Sequence, residues 1–508
     1  MARVPGLAVL VLLQAVVSAA SLVVEIVAGR LLAPHVGMSL YTWTSVIAVV
    51  LAGFSAGHWL GGRFAEKKPG DAMRATGWAL VAAALTTAVC VVLLNWIAGP
   101  VLTKAGNPLW AIVILTTLVF FLPSFFAGVP APVLAQIAVT SSEDGRQGRA
   151  LGAMFASGAV GAIAGTLLAG FVFISWLGSA MTLAAVTAVY VLSAVVCFMY
   201  AGLLAGVKAG GAAVAVIAAA VLAGAGVKAP GACDRESRYF CIRTIDVSAD
   251  PASPVRMMVI DHLVHGISAR DLPEVMFNEH SAMLDELARR RTGGQQFSSF
   301  FIGGGSYSVP RGFAARKTGP VTVAEIDLGV TDVAAEDFWF DRETARVLHE
   351  DARSALLMRP EERYDVIIGD AFTDIAVPAH LITKEFFELV RDRLEPDGSY
   401  LMNIVDFEHR LQALGAIVAT LKQVFPVVEV WTIQRQPAPR ERKVFVVAAG
   451  NRPTPEGSFI ARSPDPAQYG ALSDRWVDAL IARHGVLLTD DYAPIDRLVG
   501  FTDQARVE

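Results

Sequence analysis

Four short stretches in the C-terminal half carry residues that could act together on a nucleoside. Gly303, Gly304 and Gly305 directly follow the apolar run F-F-I at 300–302. Glycines at the end of a strand let the backbone approach a ligand where a Cβ would clash. About twenty residues on, V-T-V-A-E-I-D ends in Glu325 and Asp327, and a carboxylate at that place can accept both hydroxyls of a ribose. Asp351, in H-E-D-A-R, is next in line and could receive an adenine amino group. Asp370 closes Y-D-V-I-I-G-D, where a carboxylate beside a nucleoside can act as a base or orient an amine. Any one of these acids alone reads as well as a solvated or capping residue. Their order along the chain points to a nucleoside site.

These residues need a scaffold that brings strand ends together. The stretches V-T-V-A-E-I-D, Y-D-V-I-I-G-D and G-S-Y-L-M-N-I-V alternate with helical patterns around 328–337 and 383–394. Thr383 is placed to cap the latter helix. Such alternation predicts a mostly parallel, doubly wound sheet, which binds ligands at the carboxyl ends of its strands. Upstream, Y-F-C-I-R-T-I-D-V and V-R-M-M-V-I-D-H-L-V-H-G read as short strands, and E-H-S-A-M-L-D-E-L-A-R-R as a helix leading to the glycine turn.

The first 230 residues have a different character. The whole chain is 54% hydrophobic and 18% charged over 508 residues, and the charges concentrate after residue 230. Runs long enough to cross a bilayer fall at about 6–28, 42–62, 76–98, 109–137, 150–174, 179–203 and 210–228, about seven spans. Basic loops containing Arg63, Lys67, Lys68 and Arg74, then Arg146 and Arg149, then Lys208 assign one side to the cytoplasm. Seven spans would then deliver the C-terminal half to the opposite side. Gly161 and Gly165 have the spacing of close helix contact, His58 sits near the end of the second span, and Pro123, Pro130 and Pro132 predict a kink or local cavity in the fourth. A net charge of −5 supplies no basic field for nucleic acid. Of the four cysteines, Cys90 and Cys197 lie in apolar runs. Cys233 and Cys241 follow the last span without a metal-binding spacing, and their pairing would require an oxidising compartment.

At the nucleoside residues the chain resembles the spermidine synthase family, the polyamine aminopropyltransferases, in its bacterial form fused to a membrane domain. The motifs G-G-G-S-Y-S, A-E-I-D, E-D-A and D-A-F-T-D stand where the family has GGGDGG, VEID, a GDA-like acid and D-x-x-D-P. The resemblance implies an N-terminal polytopic α-helical membrane domain over 1–229. It implies a C-terminal catalytic domain over 230–508, with a small β part at about 235–270 and a Rossmann-like α/β part of S-adenosylmethionine-dependent methyltransferase type at about 280–500. It implies donor binding by Gly303, Gly304, Gly305, Ser306, Glu325, Asp327, Asp351 and Ala352, and by His265 where the family has a glutamine. Asp370 would take the proton of the attacking amine, and Asp374, displaced by one residue from the family's second aspartate, would bind the substrate. Two features depart from the pattern. Ser306 replaces the turn aspartate, and F-N-E at 277–279 lacks the family's tyrosine and histidine while keeping Glu279. Asp490, Asp491 and Asp496, near the end, could rebuild an acidic amine pocket or form a solvated turn.

The expected reaction moves an aminopropyl group from decarboxylated S-adenosylmethionine to putrescine or a related amine and releases methylthioadenosine. The alternatives are methyl or alkyl transfer from S-adenosylmethionine to another, lipid-borne acceptor, and a polyamine- or nucleoside-binding transporter or sensor without turnover. The donor is a substrate, so no permanently bound cofactor or metal is expected. The expected partners are a small-molecule amine or lipid-borne acceptor and the lipid bilayer, with no nucleic acid, and the family implies a homo-oligomer. The expected location is the bacterial inner membrane, with the catalytic domain on the cytoplasmic face because adenosyl donors are made there.

Overall fold

The computed structural model describes residues 4–202, 209–371, 377–435 and 442–499. The chain divides into two compact units, the first running to Glu236 and the second beginning at Ser237.

The first unit is helical: α1 (Leu7–Val36), α2 (Leu40–Ala65), α3 (Pro69–Lys104), α4 (Pro108–Gly128), α5 (Pro130–Thr140), α6 (Gln147–Leu168), α7 (Ile174–Tyr200) and α8 (Ala209–Lys228). Among the described residues, six helical stretches are long and apolar enough to cross a membrane. One of them, Gln147–Tyr200, has 54 residues; it joins α6 to α7 through the π-helical stretch Ala169–Phe173 and kinks within α7 at Gly178, whose φ of 73° leaves the helical region. At 1.5 Å per residue it is roughly 80 Å long, enough for two crossings of a hydrocarbon core about 30 Å thick. Pro130 divides the fourth span into α4 and α5, because its ring cannot continue the preceding helix.

Small residues set the helix pairing. An added Cβ on Gly161 or Gly165 of α6 would strike the carbonyl oxygens of Ala15 and Ala19 on α1. Their spacing therefore serves close packing. A second stripe that the sequence reading missed, Gly57 and Gly61 of α2, meets the carbonyls of Phe125 and Val129 in the same way. Cys90 and Cys197 are free and buried here, whereas Cys233 and Cys241 are disulfide-bonded.

The second unit begins with an antiparallel meander of β2 (Cys241–Asp246), β3 (Val255–Ile260) and β4 (Leu263–Ala269); the two-residue strand β1 (Arg235–Glu236) precedes it. After α9 (Glu279–Arg291) comes a nine-stranded sheet flanked by helices. Its parallel part is β5 (Ser299–Ile302), β6 (Val321–Ala324), β7 (Arg346–Leu348), β8 (Tyr364–Gly369) and β9 (Leu394–Phe407), in the order β7-β6-β5-β8-β9. The connecting helices are α10 (Ser308–Arg316), α11 (Leu328–Asp337), α12 (Ala352–Met358) and α13 (Lys384–Asp392). Thr383 caps α13, accepting from the Phe386 N–H.

The expectation of a mostly parallel sheet needs correction. Beyond β9 the sheet continues antiparallel through β10 (Val427–Ile433), β11 (Arg442–Gly450), β12 (Ser458–Ile460) and β13 (Gln468–Ala471), in the order β12-β13-β10-β11-β9. A hairpin needs only a short turn, so β10 and β11 pair without a crossover helix. Helices α14 (Gln412–Leu421), α15 (Asp474–His484) and α16 (Ile495–Val499) complete the unit. Strand order reverses between β5 and β8, and a switch point of that kind opens a crevice at the carboxyl ends of the two strands.

Candidate active site

Parallel pairing of Ile302 with Gly369 sets the next residue of each strand, Gly303 and Asp370, side by side at the switch point. Gly303 has φ 92°, and a Cβ there would lie 2.8 Å from the Asp370 carbonyl oxygen. Both the left-handed backbone and the close approach demand glycine. The turn then passes Gly304 and Gly305 and enters α10 through Tyr307, itself left-handed at φ 55°. The Tyr307 ring is buried and its hydroxyl lies 2.7 Å from the Thr331 hydroxyl.

Glu325, at the end of β6, is held under this turn. Its Oε2 accepts from the Gly304 N–H at 2.8 Å and its Oε1 from the Asp327 N–H at 3.0 Å. The residue is only 6% exposed. Burial pushes its carboxyl up to about 7, against the pull of the backbone N–H groups. His265 lines the same place with its Nδ1 3.0 Å from the Leu263 carbonyl; burial lowers its pKa.

Asp370 is positioned by two residues that sequence reasoning did not single out. Asn403 of β9 donates from Nδ2 to Asp370 Oδ1 at 2.8 Å, and His280 Nε2 of α9 lies 3.8 Å from Oδ2. Asn403 is 3% exposed and its Oδ1 has no hydrogen-bond partner. Its signal was the one amide in the apolar run Y-L-M-N-I-V. A histidine stands immediately after F-N-E, at 280. His265, Gly303, Gly304, Ser306 and Asp370 line one void of about 20 Å³, large enough for a water.

Other expected ligands are engaged by the fold. Asp327 caps α11, accepting from the Gly329 N–H at 2.8 Å, and its second oxygen takes the Ser237 hydroxyl. Ser306 is buried and its hydroxyl lies 2.6 Å from that of Ser308. Asp351 caps α12 through the Ser354 N–H and meets His380 Nε2 at 2.8 Å; the His380 contact lowers its pKa. Its carboxylate is partly exposed, and Ala352 opens the helix behind it. Asp490 is tied to Arg353 by a two-pronged pair at 2.7 and 2.6 Å and accepts from the Thr383 hydroxyl. This arrangement clamps α12 to α13. Asp491 is exposed and Asp496 half-buried. Glu279, at the first turn of α9, faces Arg435 at 3.8 Å. Asp374 lies outside the described residues. Among the described residues no group of acids, histidines and cysteines is arranged to hold a metal ion.

Comparison with known proteins bears on the same residues. Residues 301–456 match the spermine/spermidine synthase domain. A probable polyamine aminopropyl transferase of Bifidobacterium longum is 39% identical over 85 residues, covering 16% of this chain and 18% of its own. A polyamine aminopropyltransferase of Aeropyrum pernix is 27% identical over 205 residues, 38% of this chain and 61% of its own. The chain thus spans less than two thirds of the length of the curated relatives it matches. A crystal structure of a probable spermidine synthase from Corynebacterium glutamicum superposes with a TM-score of 0.44 at 20% identity, over 50% of this chain and 95% of its own. The C-terminal part of this chain carries a spermine/spermidine synthase domain.

Proposed function

We propose that the chain is a membrane-anchored aminopropyltransferase that joins the propylamine group of decarboxylated S-adenosylmethionine to putrescine or a related amine. One observation carries this reading: Asp370 closes β8 beside Gly303 at the switch point, with one carboxylate oxygen fixed by Asn403 and the other turned to His280. The adenosine would lie along Gly303–Gly305 with its ribose hydroxyls on Glu325 and its adenine amino group at Asp351. The amine nitrogen attacks the carbon beside the sulfonium. As the N–C bond forms the C–S bond breaks, and its electron pair leaves with sulfur as neutral methylthioadenosine. Asp370 accepts a proton from the incoming primary ammonium, so the nitrogen attacks as the neutral amine and the product leaves as a secondary ammonium. Asn403 fixes which oxygen does this, and a carboxylate beside two cationic centres lowers the energy of their approach.

The test is methylthioadenosine release by the purified full chain supplied with putrescine and either decarboxylated or carboxylated donor, repeated on Asp370→Asn. Release with the decarboxylated donor alone, lost in the variant, is the expected result. Turnover only of the carboxylated donor would replace this reading with methyl or alkyl transfer, to which Ser306 at the family's aspartate position and the engagement of Asp490 by Arg353 both lend weight.

A second reading is favoured by the disulfide-bonded state of Cys233 and Cys241. Disulfides persist on the oxidising side of a membrane, and seven crossings from a cytoplasmic N-terminus lead there too. A domain on that side would lack cytoplasmic donor and would bind a nucleoside or polyamine without turnover. Turnover in the assay above, with the catalytic domain of intact bacterial cells shielded from external protease, excludes it and places the enzyme on the cytoplasmic face.

A further inference from the structure

The helical unit holds a cavity of about 400 Å³ that the transfer reaction does not use. It opens between the two tightly paired sets of helices, α1 with α6 and α2 with α4 and α5. Its existence follows from the glycine stripes and the proline. Backbone contact at Gly161 and Gly165, and again at Gly57 and Gly61, draws each pair together. The break at Pro130 then displaces the chain so that Pro132 and its neighbours wall a space rather than fill it.

The wall is apolar except for Gln14, Ser18, Ser21 and His58. Three of these stand at i, i+4 and i+7 on one face of α1. Ser21 is satisfied, donating to the Val17 carbonyl and meeting the Tyr190 hydroxyl. Ser18 takes the Gln14 Nε2 at 3.2 Å. The other end of the Gln14 amide, Oε1, is buried without a hydrogen-bond partner in a side chain only 9% exposed. A polar atom left unpaired inside a span is costly, because the bilayer offers it nothing. The cavity that the Gln14 side chain lines is of a size that binding pockets have, apolar with a few polar groups that fix orientation.

We infer that this cavity is a binding site for a lipid-phase alcohol, an apolar molecule with one hydroxyl that seats on the Gln14 amide. A hydroxyl both donates and accepts, so it satisfies either orientation of the amide. The remaining apolar wall takes the hydrocarbon body, and the bilayer is the reservoir from which it enters. Among the four polar wall residues only His58 can carry a charge, so an ammonium would meet no counter-charge there. The site stands or falls independently of the chemistry proposed for the C-terminal unit.

The full chain, purified in phosphatidylcholine nanodiscs, is photolabelled with a long-chain primary alcohol carrying a diazirine, and with the hydrocarbon of equal length carrying the same group. The alcohol should label peptides of α1 and α6, and an excess of unlabelled alcohol should suppress that labelling roughly tenfold. Ala162→Leu, which fills the cavity from α6, should abolish it. Gln14→Leu should lower it by about tenfold and leave hydrocarbon labelling unchanged. Equal labelling of these peptides by alcohol and hydrocarbon in the wild type overturns the proposal, as does labelling that persists in an Ala162→Leu protein melting with the wild type. Should Gln14→Leu fail to fold, competition in the wild type and the Ala162→Leu variant decide the matter.

Discussion

Replacing Glu325 with glutamine separates the electrostatics of the site from its packing. The side chain is buried, and burial raises its carboxyl from 4.5 to about 7. For an acid with a raised pKa, the folded state holds a proton that the unfolded state gives up. The associated stability is fully present below about pH 4.5 and is lost as pH rises through about 7. At 1.36 kcal/mol per unit, the loss reaches about 3 kcal/mol. Glutamine does not titrate, so that term vanishes from the variant. The variant also faces its amide group toward one of the two N–H donors that the carboxylate accepts, Gly304 or Asp327, a fixed cost of about 1 kcal/mol that does not vary with pH. The stability of Glu325→Gln relative to wild type should therefore rise by about 3 kcal/mol between pH 4 and pH 7, on the order of 5 to 10 °C in the melting of the second unit. Donor binding should move the opposite way. Ribose hydroxyls donate best to the carboxylate, so wild-type affinity for the donor should climb as pH rises through about 7, while the variant binds weakly and without that dependence. Thermal melts and calorimetric titrations on the full chain across this range provide both readouts. A stability gap that stays flat with pH, or a variant that binds donor as the wild type does, would refute the argument.

Asp370→Asn should lower turnover by roughly 10²- to 10⁴-fold while donor affinity measured by calorimetry stays within about threefold. Asn403→Leu frees the Asp370 carboxylate and should lower kcat more than it raises KM, with a shifted pH–rate profile; an unchanged profile would make Asn403 a packing residue only. Asp490→Asn should lower the melting temperature through loss of the Arg353 pair, a partly exposed contact worth at most about 1 kcal/mol, and leave KM for the amine within about twofold; a large rise in KM would return Asp490 to the acceptor site. Peptide mapping without reductant of protein taken from cells should recover Cys233 and Cys241 as one crosslinked species if the junction faces an oxidising compartment, and both thiols free if it faces the cytoplasm.

The sequence alone separated a half of hydrocarbon-length apolar runs from an α/β half, because such runs and strand–helix alternation are properties of neighbouring residues. It also determined the glycine turn, Glu325 and Asp370, since each sits at the end of a short apolar strand whose register places it. The G-x-x-x-G spacing at Gly161 and Gly165 and the break at Pro130 were legible for the same reason. What the sequence left open depends on partners far along the chain. What an acid meets within the fold depends on residues remote in sequence: the Ser237 hydroxyl and the Gly329 N–H meet Asp327, and Arg353 meets Asp490 across 137 positions. Asn403 and His280 reach Asp370 only because β9 lies beside β8 and α9 packs over the sheet. The antiparallel extension of the sheet, and the cavity beside Gln14, arise likewise from which surfaces meet. Hydrogen bonding and packing are pairwise, and in this chain the decisive pairs join residues that the linear order keeps far apart.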